Sequence, residues 1–328
     1  MFSKSRLKRA LNNPDQAIEF IWRNLTERTK NRLTGGYRQP NDVSVLNHEW
    51  DILVILDACR YDMLADRNPF DAKIEKRTSQ APNTAKWFKS NFVEESDELL
   101  DDVVYVATIP NASSKHINPS RFAHLEEVFR YGWDEQLRTT PPDLVTSVAI
   151  QLHHEYPSKR LVVHYAQPHV PFVGHEEYES DLYTPDYVKY QDADVDMGSK
   201  TLEDIKQSPD KMNKYNHPFR SMKKGIAGED EVWEAYCANL DYVLPHIGEL
   251  KKYVDGRFCV SADHGNGMGE HGIYGHPPWG FTKTVLEVPW VCTQGDNQDP
   301  PERILEMDFD KSEVDATVEE QLSHLGYR

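Results

Sequence analysis

The sequence predicts an α/β fold, a mostly parallel central sheet flanked by helices, with a basic helix ahead of it. Three observations predict it. Short apolar, β-rich runs recur at 51–57, 103–108, 160–166, 257–262 and 287–292. Helical stretches near 84–92, 142–154 and 229–253 alternate with them. The runs are apolar throughout rather than every second residue, as expected of strands covered by helices on both faces. A chain of 328 residues is long enough for one large domain of this kind with insertions and a substantial core.

Taken in order, residues 1–38 hold nine basic and three acidic residues. Asn13-Pro14 starts a helix there, and Ile18, Ile21, Trp22, Leu25 and Leu33 share one of its faces. A basic amphipathic helix of this kind either docks on the acidic remainder of the chain or lies on an anionic membrane surface, and the sequence leaves both open. Gly35, Gly36 and Pro40 mark a linker at 34–42, and the main domain is placed at 43–328. Asp51-Ile-Leu-Val-Ile-Leu-Asp57 is too short for a core helix and reads as the first strand. A loop containing Pro82 then leads into a helix with Thr84 at or near its N-terminus. At that position Thr84 is either a helix cap or a hydroxyl favoured as an alkoxide by the helix dipole. His153-His154 closes the helix at 142–154 and reads as structural, while His164 sits inside a strand and reads as packed core. Residues 174–224 are polar and break the rhythm, an insertion whose Tyr178, Tyr183, Tyr187, Tyr190 and Tyr215 could wall a sugar site or simply pack the loop.

Charge and cysteines bound the function. There are 54 Asp and Glu against 37 Lys and Arg, a net −17. Residues 1–38 carry +6, so the remainder carries −23. That balance disfavours nucleic acid as a partner and fits a carboxylate-rich surface adapted to high salt. The four cysteines have no CxxC pair and read as reduced thiols of a cytosolic protein. No apolar run is long enough to span a membrane and no signal-peptide core is present, so a cytoplasmic protein, peripheral at most, is expected.

The chemistry gathers at two strand ends. The first strand ends at Asp57, within Leu56-Asp57-Ala58-Cys59-Arg60-Tyr61-Asp62, and the run at 257–262 leads into Asp263-His264-Gly265-Asn266-Gly267-Met268-Gly269-Glu270-His271-Gly272, with His276 beyond. Ligands collect at the C-terminal ends of parallel strands. Two carboxylates and an imidazole there can converge on a divalent cation, and the glycines let the loop turn sharply.

These segments resemble the alkaline phosphatase and sulfatase superfamily. The Asp57 block resembles its first metal motif. Val163-His164-Tyr165-Ala166-Gln167-Pro168-His169-Val170-Pro171-Phe172 resembles the pocket segment, and Asp263 through Gly272, Gly275-His276-Pro277 and Thr284-Val285-Leu286-Glu287-Val288-Pro289 resemble the sulfatase-like signature. The likeness covers roughly 50–295 and is closest to sulfatase-like proteins of halophilic archaea. It implies an alkaline phosphatase-like fold and one divalent ion, Zn, Mn or Mg, held by Asp57, Thr84, Asp263 and His264. It further implies Thr84 as nucleophile, His169 and His276 as catalytic groups, and Arg60, His169, His271 and Lys283 facing an anionic ester of the glycan- or lipid-linked kind. No cysteine stands in a formylglycine context, which disfavours ordinary sulfatase chemistry. Asp241 has Pro245 where a second-site histidine is expected, with His246 one place late. Three readings stay open: transfer or hydrolysis of phosphate esters, hydrolysis of sulfate esters without formylglycine, and a non-catalytic member of the fold. Arg60 is also placed to pair with Asp62.

Overall fold

A computed structural model describes residues 44–134, 136–174, 218–278 and 280–308. The basic segment 1–38 and residues 175–217 of the insertion, with its five tyrosines, lie outside the described residues. The elements that position the site are β1 (Ile52–Asp57), α1 (Tyr61–Arg67), β2 (Glu75–Thr78), α2 (Thr84–Phe88), β3 (Val103–Ala107), β4 (His124–Glu127), α3 (Pro142–Glu155), β5 (Arg160–Pro168), α4 (Pro218–Lys223), α5 (Glu229–Tyr253), β6 (Arg257–Ala262), the two-residue strands β7 (Gly267–Met268) and β8 (Tyr274–Gly275), α6 (Lys283–Leu286) and β9 (Glu287–Gln294).

Seven strands form one sheet in the order β2-β9-β6-β1-β5-β3-β4, and β7 pairs with β8 apart from it. From β6 to β4 every pairing is parallel; β9 and β2 add an antiparallel edge. The expected α/β class is therefore present, and the apolar character of β1 has its reason in the order, since β1 is central and buried along its whole length. Its residues alternate between two cores. Ile52, Val54 and Leu56 pack with α3 and α5 residues such as Val145, Val148, Tyr236 and Leu240, whereas Leu53 and Ile55 pack with Trp87, Phe88 and Phe92 on the other face. Each buried aliphatic or aromatic side chain of this kind contributes about 1.5–3 kcal/mol.

One expectation needs correction. The four cysteines are not all free thiols: Cys259 on β6 stands opposite Cys292 on β9 in register, and the two form a disulfide, which leaves Cys59 and Cys237 reduced. Spacing did not reveal the bridge, because the cysteines are 33 residues apart and meet only when the antiparallel edge forms. In the last described part of the stretch 174–224, α4 packs Phe219 and Met222 into the core beside α5. No described helix is long and apolar enough to cross a membrane.

Candidate metal centre

Strands β1 and β6 are neighbours, with Leu56 opposite Ala262. Asp57 and Asp263, one residue further along each strand, are thus brought side by side. Among the described residues, Asp57, Asp263 and His264 form the one group of three such side chains whose ligand atoms all lie within 4.8 Å of one another, and all three are buried. His264 Nε2 is 3.3 Å from Asp263 Oδ2 and 3.7 Å from Asp57 Oδ1.

Hydrogen bonds set which atoms face inward. His264 Nδ1 lies 3.0 Å from the Gly265 carbonyl, which can only accept, so Nδ1 carries a proton and Nε2 is the ring nitrogen turned to the carboxylates. Asp263 Oδ1 accepts from the backbone N–H of Ala58 at 2.9 Å and of His264 at 2.8 Å, while its Oδ2 has no hydrogen-bond partner. Two buried carboxylates and an imidazole nitrogen therefore converge. Such a cluster of electron pairs is unfavourable in a buried site unless a cation sits among them, so the donor set fits a divalent ion of the Zn, Mn or Mg kind. The loop allows this approach because residue 265 is glycine: a Cβ there would stand 2.4 Å from the Thr284 carbonyl oxygen.

Thr84 is the first residue of α2, buried, and its Oγ1 is 3.2 Å from His264 Nε2. Capping belongs to its neighbour, since the Asn83 side chain accepts from the Lys86 N–H at 3.0 Å. The Thr84 hydroxyl is therefore directed to the centre rather than to the helix end.

His169 follows β5, its N–H donating to the Asp57 carbonyl at 3.1 Å. Its Nδ1 donates to the Val170 carbonyl at 2.9 Å, and burial pulls its pKa down to about 4. His276 stands beside both histidines, its ring centroid 4.3 Å from that of His264 and 5.1 Å from that of His169. Arg60 is engaged elsewhere: its guanidinium bonds Asp62, Glu270 at 2.8 Å and the Asn266 carbonyl at 3.2 Å, and stacks over Trp233. These contacts brace the loop. His271 and Lys283 are exposed, and neither makes a hydrogen bond or ion pair with the buried group. Asp241 pairs with Arg67 of α1, its Oδ2 at 2.8 Å, which accounts for it without a second ion. His164 is buried on β5 with Nδ1 2.8 Å from the Tyr105 hydroxyl, a packed residue as its sequence position implies.

Three further residues in and around the site hold it together. On α5, the Asn239 amide donates to the carbonyls of Pro168, His169 and Pro171 and so holds the His169 corner. Tyr236, one turn earlier, donates to the Ala58 carbonyl. Asn266 bonds both Tyr236 and His276. Tyr236 and Asn239 stand three apart on one helix face, a signal for a shared partner but not for which one. Asn266 stands inside the segment 263–272, where nothing in the sequence sets it apart from its neighbours.

No protein-family model matches the chain, and no curated protein matches its sequence. Solved structures do. The soluble domain of lipooligosaccharide phosphoethanolamine transferase A from Neisseria meningitidis is similar with a TM-score of 0.45 at 14% identity, over 75% of this chain and 76% of that one. The C-terminal periplasmic domain of EptC from Escherichia coli, solved as a complex with Zn, gives 0.43 at 12%, over 87% and 83%. A putative sulfatase from Bacteroides thetaiotaomicron gives 0.41 at 10%, over 82% and 69%.

Proposed function

We propose that this chain is a metal-dependent enzyme that transfers or hydrolyses phosphate-type esters with Thr84 as its nucleophile. The observation that carries the reading is the buried Thr84 hydroxyl, 3.2 Å from His264 Nε2 and beside two carboxylates that call for a cation. Asp57, Asp263 and His264 would hold the ion, with Thr84 next to it. A divalent ion there supplies positive charge that lowers the pKa of a neighbouring hydroxyl and neutralises the oxygens of an ester.

The chain's own groups do the rest. Thr84 Oγ1 gives its proton to a neutral imidazole Nε2 of the site or to solvent and attacks phosphorus, forming the Oγ1–P bond as the bond to the leaving oxygen breaks. Burial of Thr84 keeps bulk water from competing at this step. His169, neutral above pH ~4 with its proton on Nδ1, is suited to accept a proton at Nε2 rather than to give one. His276, beside both histidines, is the other imidazole of the site; it returns a proton to the leaving oxygen only after its Nε2 has taken one up from Thr84 or solvent. Water or an acceptor hydroxyl then takes phosphorus from Thr84, which distinguishes hydrolysis from transfer. A glycan- or lipid-linked phosphate is the substrate class that the sequence resemblance implies.

The test is activity of metal-loaded wild type and Thr84→Ala on aryl phosphate monoesters, diesters and aryl sulfates, with mass analysis of the Thr84 peptide after an acid quench. We expect turnover of a phosphate ester, a phosphorylated Thr84 peptide, and loss of about 10³-fold or more in Thr84→Ala. An equally active Thr84→Ala protein would overturn the nucleophile. Activity confined to sulfates would favour the sulfatase reading, and inactivity on the whole panel without bound metal the non-catalytic one.

A further inference from the structure

The direction of one hydrogen-bond chain follows from donor and acceptor inventories alone. The Ala58 carbonyl, next to Asp57, can only accept, so the Tyr236 hydroxyl donates to it. A phenol has one proton, and towards Asn266, 3.2 Å away, Tyr236 must therefore accept. That turns the Asn266 amide so that its NH₂ faces Tyr236 and its Oδ1 faces His276 Nδ1 at 2.7 Å. An amide oxygen donates nothing, so Nδ1 of His276 carries the proton. In the neutral ring the lone pair is then on Nε2.

We propose that Asn266 is a positioning residue that holds His276 in its Nδ1–H form, so that Nε2 is the nitrogen offered to the reacting groups, with Tyr236 and the Ala58 carbonyl setting the sense of the whole chain. The role of His276 in turnover rests on the functional reading above; its tautomer does not. His264 and His169 have the same tautomer, but each donates Nδ1–H to the carbonyl of the next residue, a bond that no side-chain substitution removes. His276 is set by a side chain and is the one of the three that a substitution can reverse. Free histidine in water favours the other tautomer, Nε2–H, so Asn266 acts against the intrinsic preference of the ring.

The full chain, labelled with ¹⁵N-histidine and treated with chelator, is examined by long-range ¹H–¹⁵N correlation above pH 7, with His276→Gln supplying the assignment. Wild type is expected to show a protonated Nδ1 and an unprotonated Nε2 at His276. Asn266→Leu, which keeps the volume but not the acceptor, is expected to move the ring to Nε2–H, and Asn266→Asp, which restores an acceptor, to return it to Nδ1–H. The His264 and His169 signals report whether each variant is folded; should Asn266→Leu not fold, the wild-type pattern decides. On an aryl phosphate, Asn266→Leu is expected to lose about 100-fold in kcat with KM little changed, and Asn266→Asp to recover much of it. An Nε2–H His276 in active wild type overturns this inference and leaves the functional reading standing. A wild type inactive towards all esters removes the positioning role together with that reading, whatever the tautomer.

Discussion

The two oxygens of Asp263 have separate tasks: Oδ1 accepts two backbone N–H groups, and Oδ2 faces His264 Nε2 with no hydrogen bond. Asp263→Asn can keep the first arrangement while removing the charge from the second. In metal-free protein the substitution relieves repulsion within the buried cluster, so the variant should melt no lower than wild type. The cation should separate them in the other direction: at a concentration 100 times its Kd, an ion bound only by the folded state stabilises by about 3 kcal/mol, and Asp263→Asn should lose most of that. Thermal unfolding of both proteins in EDTA and in excess Zn²⁺ checks both halves, and an equal metal-induced rise in the two would refute the ligand assignment. Asp57, Asp263 and His264 were legible in the sequence because a carboxylate directly after an apolar strand has few structural reasons to be there. Asn266, Tyr236 and Asn239 were not, since each is defined by a carbonyl or ring that only the folded chain brings within 3.2 Å.

At the scale of elements, apolarity reveals buried strands and hides edge ones. β1, β3, β5, β6 and β9 stand out as apolar runs, while β2 (Glu-Lys-Arg-Thr) and β4 (His-Leu-Glu-Glu) carry charge because they form the two edges of the sheet, where side chains reach water. The disulfide belongs to the same antiparallel margin that apolar patterning could not order. With Cys259 and Cys292 bonded, the cysteines no longer argue for a reducing compartment, because such bridges persist mainly in oxidising ones. Alkylation of the denatured, unreduced chain should find two free thiols, Cys59 and Cys237, instead of four. By loop-closure entropy a bridge spanning 33 residues constrains the unfolded chain by roughly 3–4 kcal/mol. Cys292→Ser should lower the urea midpoint accordingly, and an unchanged midpoint with four reactive thiols would mean the pair is not bonded.

For the molecule as a whole, the fold buries ionisable groups beneath a strongly acidic surface, and its stability should register both. His164 lies under the sheet's aromatic face, against Trp87 and Tyr105, and burial lowers its pKa from the ordinary 6.5 to about 4. Between those values the unfolded chain binds a proton that the folded chain refuses. Its contribution is therefore complete above pH 6.5 and is lost as pH falls towards 4, amounting to about 3 kcal/mol at ~1.4 kcal/mol per pH unit. The net −17 acts in the opposite sense over part of the same range, because protonating surface carboxylates relieves self-repulsion. A single pH profile would mix the two. The difference between wild type and His164→Asn isolates the histidine, since Asn retains a group able to bond the Tyr105 hydroxyl and does not titrate. Urea unfolding of both proteins from pH 4 to 8 should show profiles that run parallel above pH 6.5 and approach or cross below it, with wild type losing stability faster. Parallel profiles over the whole range would show that His164 is not held neutral, and that the acid sensitivity of the fold resides in its carboxylates.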